Sequence, residues 1–392
     1  MTDVVIVGAA RTPVGAFQGS LSALPAPSLG AFAIREAVRR AGIEPGQVDE
    51  VIMGHVLQAG VGQAPARQAA LAAGLPVGTG ATTVNKVCGS GLKAAMLGVQ
   101  AIRTGESQVV VAGGMESMSN APYLLEKARS GYRMGDGSLV DAMLRDGLLD
   151  PYKGHHMGIC GEMCAAEYGF SREDQDAFTL ESYRRAREAM ASGASAREIV
   201  AVEVPGRKGP TTVAEDEEPN RVDLARVPTL RPAFKPDGTV TAANASKIDD
   251  GAAAVVLMSE SRAAALGARP MARVVAQATA SREPDWFTVA PADAIQKLLA
   301  QTGRTVADVD LFEINEAFAV VPMAVAKLLD LPLEKVNVRG GAVALGHPIG
   351  CSGARILVTL LHAMEDRKAK TGVAAICLGG GEAVAMMVER AR

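Results

Sequence analysis

Positive charge in excess, long apolar stretches, a dense cysteine framework and the standard phosphate-binding loops are all lacking in this sequence. Its formal net charge is −3. That balance gives no reason to expect nucleic acid or an anionic membrane as a partner. No apolar stretch approaches the roughly 18 residues that a membrane span requires. The five cysteines are an odd number without dense spacing, so no disulfide scaffold is expected. Neither GxGxxG nor GxxxxGK[ST] follows a strand in the right place, which argues against dinucleotide and P-loop folds. The opening "MTDVVIVGAARTP" reads as a first strand, not as a leader. A reducing cytoplasm with free thiols is the expected location.

What remains is a chain of 392 residues, 48% hydrophobic and 21% charged, long enough for two or three domains with real cores. Valine- and isoleucine-rich runs such as "DVVIVGAA", "VDEVIMG", "ATTVNKV" and "SQVVVAGG" alternate with helical patterns such as "SLGAFAIREAVRRAG". This alternation predicts an α/β fold with a largely parallel sheet.

The sequence also repeats itself weakly. "VDEVIMG" (48–54) matches "VDLFEIN" (309–315), and "VVVAGGME" (109–116) matches "AAICLGGGEA" (374–383). "VNKVCGSGLKAAM" (84–96) matches "VNVRGGAVALGHPIGCSGARIL" (336–357) if the second copy carries a loop insertion. Three matches in register predict two similar α/β halves, packed sheet against sheet. Between them, from about Glu116 to Lys247, lie polar and proline-containing stretches and one long helix pattern. Ser171 is its expected N-cap, with acidic residues in the first turn. An insertion above an α/β core is where substrate recognition usually sits.

Cys88 stands where a strand turns into a helix expected from about Ser90. Free N–H groups and partial positive charge at a helix start predict a lowered thiol pKa and a nucleophilic sulfur. Gly89 and Gly91 are expected to permit a tight turn and close ligand approach. The same N–H groups could hold an oxyanion. A buried packing cysteine is the alternative. His347, between Gly346 and Pro348 in the matching loop of the second half, can act as proton acceptor or polarise a carbonyl. Cys377 ends an apolar strand before three glycines, a setting like that of Cys88, and is a candidate proton shuttle. Asn315 and Glu316 follow another strand, where an amide can orient a water or merely cap a helix. Cys351, also at a helix start, is the nearest competing nucleophile. His155, His156, Cys160 and Cys164 show no standard zinc spacing, so packing is expected there and no metal site.

At these residues the chain resembles a thiolase. The likeness spans nearly all 392 residues and rests on "NKVCGSGLKA", "GGMESMSNAPY", "TAANAS" with "DDGAAAVVLMSE", "NEAFA", "GGAVALGHPIGCSGAR" and "CLGGGEA". The resemblance implies two pseudo-symmetric βαβαβ-type halves in a layered α/β/α/β/α core. The N-terminal half would comprise 1–117 with 248–269, the inserted loop domain 118–247 and the C-terminal half 270–392. It implies that Cys88 carries the acyl group and His347 activates it. Cys377 would move the α-proton of the second substrate, and Asn315 would hold an oxyanion-hole water. The N–H groups of Cys88 and Gly379 would form a second oxyanion hole.

Within the family the chain is most similar to the acetoacetyl-CoA branch. His156 and Met157 resemble its small-acyl pocket. Ser246 and Arg221 resemble CoA contacts, and Phe234, Ala317 and Phe318 a pantetheine channel. The implied partners are acetyl-CoA, acetoacetyl-CoA and CoA, in a homo-oligomer of paired dimers. No resident cofactor is implied, CoA being a substrate. Ala242, Ala243, Ala245 and Val343 resemble potassium ligands, but Pro219 stands where potassium-binding members have tyrosine, which argues against potassium activation. Glu382 replaces the glycine or glutamine that many members carry after the third glycine. A longer-chain 3-ketoacyl-CoA thiolase, a non-catalytic acyl-CoA or lipid carrier and a redox-sensing cysteine protein are the competing readings.

Overall fold

The computed structural model describes residues 2–391. Strands β1 (Val4–Arg11), β2 (Glu50–Gly54), β3 (Gly80–Val84), β4 (Val109–Ser117) and β5 (Asp249–Ser259) belong to the first half. Strands β6 (Ala272–Ser281), β7 (Leu311–Ile314), β8 (Thr371–Leu378) and β9 (Glu382–Arg390) belong to the second. They join in one ten-stranded sheet of order β7-β8-β9-β6-β1-β5-β4-β2-β3, with the short strand Gly15–Ala16 paired to β5. The seam between halves is narrow, since β1 and β6 pair only at Val5↔Arg273 and Ile6↔Ala272.

The repeat seen in the sequence reappears as a repeat of pairing. In the first half β2 is parallel to β4, β4 antiparallel to β5, and β5 antiparallel to β1. In the second half β7 is parallel to β8, β8 antiparallel to β9, and β9 antiparallel to β6. The parallel ladder of β2 with β3 shrinks to one bridge, Phe312↔Val336, in the second copy. The sheet is therefore mixed, not largely parallel as expected. Gly380 (φ 87°) and Gly381 (φ 85°) fold β8 back on β9 as a hairpin, a reversal that apolar periodicity does not encode.

Helices fill three layers. α1 (Ala26–Ala41) and α2 (Pro65–Ala72) cover the outer face of the first half, where Leu29, Ile34, Ala37, Ala66 and Ala69 join its core. α3 (Ser90–Thr104) and a later helix, Ile349–Arg367, lie between the two halves of the sheet, so the halves do not touch sheet on sheet as expected. The layered α/β/α/β/α arrangement is what the chain adopts. Leu92, Ala95 and Val99 meet Leu357, Leu360 and Leu361 in this central layer.

The two central helices approach closely because both carry glycine at the crossing. A Cβ on Gly91 would lie 2.6 Å from Ala354 N, and one on Gly353 would lie 2.4 Å from Leu92 N. The insertion leaves the sheet at Ser117 and returns at Asp249. It holds α4 (Met157–Tyr168) and α5 (Arg172–Ala191). Ser171 caps α5 as expected, its hydroxyl accepting from Asp174 N while Asp174 accepts from Ser171 N. In the second half α6 (Ala290–Thr302) and α7 (Val320–Leu329) cover the outer face, and α8 is the central helix Ile349–Arg367. Among the described residues no helix is long and apolar enough to cross a membrane.

Candidate active site

β3 ends at Val84 and α3 begins at Ser90, leaving five residues to reverse the chain. Asn85 Oδ1 accepts from Val87 N at 2.9 Å. Ser90 Oγ accepts from Lys86 N at 2.8 Å and donates to Val87 O at 2.6 Å. These bonds hold Val87 at φ 45°, a left-handed conformation that a β-branched residue adopts only under constraint. The strain therefore falls on Val87 and not on the glycines expected to make the turn. Gly89 has an ordinary φ of −82°. A Cβ on Gly89 would strike Leu378 Cδ2 at 2.5 Å, so both Gly89 and Gly91 make room for protein neighbours, not for a ligand.

Cys88 is presented by this turn, half-buried, into a cavity of about 250 Å³. His347, Cys377 and Gly379 line the same cavity, although His347 and Cys377 come from the opposite half of the chain. The sulfur accepts from the main-chain N–H groups of Gly379 and of Cys88 itself, and both act to lower its pKa. Burial acts first and outweighs them, with the Glu116 carboxylate adding to it, and the thiol is pushed up to about 12. The lowered pKa expected from the helix start is thus overturned by desolvation. The resting sulfur is a neutral thiol, and it needs a base.

His347 supplies one. Its main-chain N–H donates to Asp249 Oδ2 at 2.8 Å, and Nδ1 lies 2.6 Å from Ser352 Oγ. The Ser352 hydroxyl donates to Pro348 O at 2.9 Å, so its oxygen is left to accept from Nδ1–H. This assigns the proton to Nδ1 and leaves the lone pair on Nε2, which is buried without a protein partner. Burial, aided by the Arg355 guanidinium, pushes the imidazole down to about 3. It is a neutral base across the physiological range.

Cys377 lies near the end of β8 and is 1% exposed. Burial, then the neighbouring Cys88, pushes its thiol well above the ordinary value. Cys351 is equally buried, but it does not line the cavity, so access separates the two candidate nucleophiles. Asn315 is fully buried at the end of β7, with Nδ2 unpartnered, Oδ1 3.4 Å from Arg355 Nη2, and no share in the cavity lining. Glu316 turns away. It accepts from Ser182 Oγ and Asn337 Nδ2, each at 2.8 Å, and from Val343 N at 3.1 Å.

Ser246, His156, Met157, Phe234, Ala317 and Phe318 all line the cavity as expected. His156 stacks on Phe234 with ring centroids 4.7 Å apart, and Phe234 meets Phe318 edge-on at 6.1 Å. His156 also accepts from Gly158 N at 3.1 Å, capping α4. Burial lowers its pKa, so the ring joins the apolar wall in neutral form. Arg221 is not in the lining; it is exposed on the short helix Glu218–Arg221 and paired with Glu217 at 3.0 Å. Met118, Leu148, Lys247, Phe287 and Ile349 are among the other residues of the wall. Sequence reasoning missed them, although Met118, Lys247 and Ile349 sit in or directly beside quoted motifs. Phe287 lies in "EPDWFTVAP", a stretch that also resembles the acetoacetyl-CoA branch, whereas Leu148 carries no local signal.

Glu382 does not line the cavity. It pairs with Lys86 Nζ at 2.6 Å, joining the nucleophile turn to the β8–β9 hairpin. His155, Cys160 and Asp285 place three ligand-type atoms within 4.8 Å of one another, but Lys153 already neutralises the Asp285 carboxylate. The potassium ligands implied by resemblance are also engaged. Lys247 Nζ takes the carbonyls of Ala243, Ala245 and Val343, and Pro219 offers no side-chain oxygen. The residues present do not fit a potassium ion, and no step below passes through one.

The family model "Thiolase, N-terminal domain" matches residues 4–261 and "Thiolase, C-terminal domain" matches 268–390. A probable acetyl-CoA acetyltransferase of Dictyostelium discoideum is 54% identical over 391 residues, covering 100% of this chain and 94% of that protein. An acetyl-CoA acetyltransferase of Escherichia coli strain K12 is 54% identical over 392 residues, covering 100% of both. The crystal structure of Acat5 thiolase from Ascaris suum in complex with coenzyme A superposes with a TM-score of 0.94 at 46% identity, covering 99% of this chain and 100% of that one. With both halves matched and relatives aligned end to end, the chain belongs to the thiolase family.

Proposed function

We propose that this thiolase is an acetyl-CoA C-acetyltransferase, joining two acetyl-CoA into acetoacetyl-CoA and CoA, and running the reverse thiolysis. One observation carries the reading: Cys88, His347, Cys377 and the Gly379 N–H share one small, largely apolar cavity.

The Cys88 sulfur attacks the thioester carbonyl of the first acetyl-CoA as its proton passes to His347 Nε2. The C–S bond to CoA breaks, and the CoA thiolate takes the Cys377 proton as it leaves, which makes Cys377 a thiolate and leaves His347 protonated on both nitrogens. The acetyl group is then held on Cys88 as a thioester. Its carbonyl oxygen lies against the N–H groups of Cys88 and Gly379. Cys377 removes an α-proton of the second acetyl-CoA. A thiolate raised by burial is a strong base, which suits a weakly acidic C–H. His347, which still holds the Cys88 proton on Nε2, and a water held by Asn315 donate to the enolate oxygen. The enolate carbon attacks the acetyl carbonyl, the bond to Cys88 breaks, and the Cys88 sulfur takes its proton back from His347 Nε2. Ser246 and the aromatic wall of His156, Phe234 and Phe318, with Met157, Ala317 and Gly379, form the acyl and pantetheine path. Arg221 is kept as an outer contact for the nucleotide.

Free cysteines among the described residues support a cytoplasmic location. A dimer of dimers rests on family resemblance and is read by light scattering. The deciding experiment compares thiolysis of acetoacetyl-CoA with that of an eight-carbon 3-ketoacyl-CoA. A kcat/KM at least about tenfold higher for the short substrate is expected. The opposite preference would make this a longer-chain thiolase. No turnover of either would return it to the carrier reading.

A further inference from the structure

Lys247 is a cation among carbonyls. Its ammonium donates to Ala243 O at 2.9 Å, Ala245 O at 3.0 Å and Val343 O at 2.8 Å. Three N–H bonds meet three main-chain acceptors, so the donor set is complete. The face of Tyr183 lies 5.5 Å away. Glu218, Asp249 and Glu316 act on the ammonium at longer range, none as a direct partner.

The three carbonyls belong to two separated segments. Ala243 and Ala245 lie in the loop that carries Ser246. Its Ser246 N donates to Ala317 O at 3.0 Å, tying that loop to the cavity wall. Val343 lies in the helical turn Ala342–Leu345, directly before Gly346 and His347. Asp249, which accepts from His347 N, follows Lys247 by two residues. One ammonium therefore braces the CoA-side loop against the loop of the catalytic base.

Converging carbonyls beside an aromatic face and nearby carboxylates are also surroundings that a weakly hydrated monovalent ion can enter. Here the ion would have to displace the side chain. The Pro219 carbonyl is not free for an ion either, since it accepts from Arg187 Nε at 2.8 Å.

We propose that Lys247 is a tethered cation. Its ammonium fills a carbonyl cage suited to a potassium-sized ion, positions Ser246 and His347 through that cage, and makes the enzyme indifferent to monovalent metal ions. The effect on turnover rests on the reaction proposed above; the effect on cation binding and thermal stability does not.

The test uses the full-length protein in potassium, sodium, ammonium or tetramethylammonium chloride at equal ionic strength. The wild type is expected to show one melting temperature and one thiolysis rate, within about twofold, in every salt. Lys247→Met keeps the apolar stem and removes the charge. It should raise KM for CoA about tenfold in tetramethylammonium chloride. Potassium or ammonium should restore both KM and melting temperature, which a merely structural packing role would not permit. Lys247→Arg, charged but too wide for the cage, should lose activity without gaining a potassium response.

Activation of the wild type by potassium would overturn the proposal. So would a Lys247→Met protein whose melting temperature is the same in potassium and tetramethylammonium chloride. If Lys247→Met does not fold, the same comparison on Lys247→Gln decides. A cation-dependent melting shift with no thiolysis at all would keep the cage and defeat the proposed reaction instead.

Discussion

Ser352 Oγ, in the first turn of α8, lies 2.6 Å from His347 Nδ1, in the loop before that helix, and both groups are buried. The serine thereby decides which imidazole nitrogen carries the proton and which keeps its lone pair free to act as a base in the cavity shared with Cys88. Ser352→Ala should lower kcat about tenfold while KM changes little, because one orienting bond is lost and the acyl path is untouched. Steady-state thiolysis measures it; a pure KM effect would mean that the serine has no hold on the base.

The pairing of a thiol raised to about 12 with an imidazole lowered to about 3 has a definite pH signature. Between those values both groups rest neutral, and free thiolate is scarce and grows about tenfold per pH unit. Alkylation of Cys88 by iodoacetamide should therefore be slow and should climb about tenfold per unit from about pH 6 to about pH 9, in the wild type and in His347→Ala alike. Acetylation by acetyl-CoA differs, because His347 takes the proton as the new C–S bond forms. It should be at least about a hundredfold slower at neutral pH in His347→Ala. Mass spectrometry of Cys88 follows both reactions. Equal acetylation rates in the two proteins would remove His347 from the role of base.

Cys377→Ala should separate the half-reactions. Acetylation of Cys88 by acetyl-CoA uses His347 and should fall less than about tenfold. Exchange of the α-protons of acetyl-CoA with deuterated solvent should fall by about a hundredfold or more. Equal losses would contradict the division of labour between the two thiols.

Stability depends on a different buried charge. Arg11 of β1 reaches Asp216 at 2.7 and 2.8 Å and Glu198 at 2.9 Å, all three residues being 1% exposed. It clamps the insertion onto the first half. Arg339 also faces Glu198, at 3.2 Å, so Asp216 is the carboxylate that Arg11→Met would strand. The variant should lose about 3–5 kcal/mol. Calorimetric melting reads the loss, and Arg11→Met combined with Asp216→Asn should recover part of it.

Much of the architecture was legible because it is written locally. The paired halves could be read from the Val-Asp pairs, Val48-Asp49 and Val309-Asp310, that lead into the apolar strands β2 and β7, and from β4 and β8, which share an apolar run with glycines. Helix α5 could be read from Ser171 and the acidic residues after it. Strand direction could not. Whether β5 or β9 runs parallel or antiparallel depends on where the chain re-enters the sheet, and an apolar run looks the same from either end.

The site divides in the same way. Cys88, His347 and Cys377 stood out in glycine-rich stretches, whereas Asn315 was picked out chiefly by the family resemblance. Their electrostatics were not, and the lowered pKa expected for Cys88 had the wrong sign. Burial is a sum over neighbours from distant parts of the chain, and here it exceeded the pull of Gly379 N–H and the sulfur's own N–H. Lys247 shows the same limit. Its position beside Ser246 is plain in the sequence, but its partner Val343 lies 96 residues away.

The sequence by itself determined the two-fold repeat, the helix starts and the chemical identity of the reacting groups, because propensity, periodicity and side-chain chemistry act over a few residues. Only the tertiary structure decided that the two central helices lie between the halves, that the thiol rests protonated beside a neutral imidazole, and that an ammonium fills the carbonyl cage. Those outcomes follow from desolvation and from contacts between segments far apart in the chain, and a linear pattern carries neither.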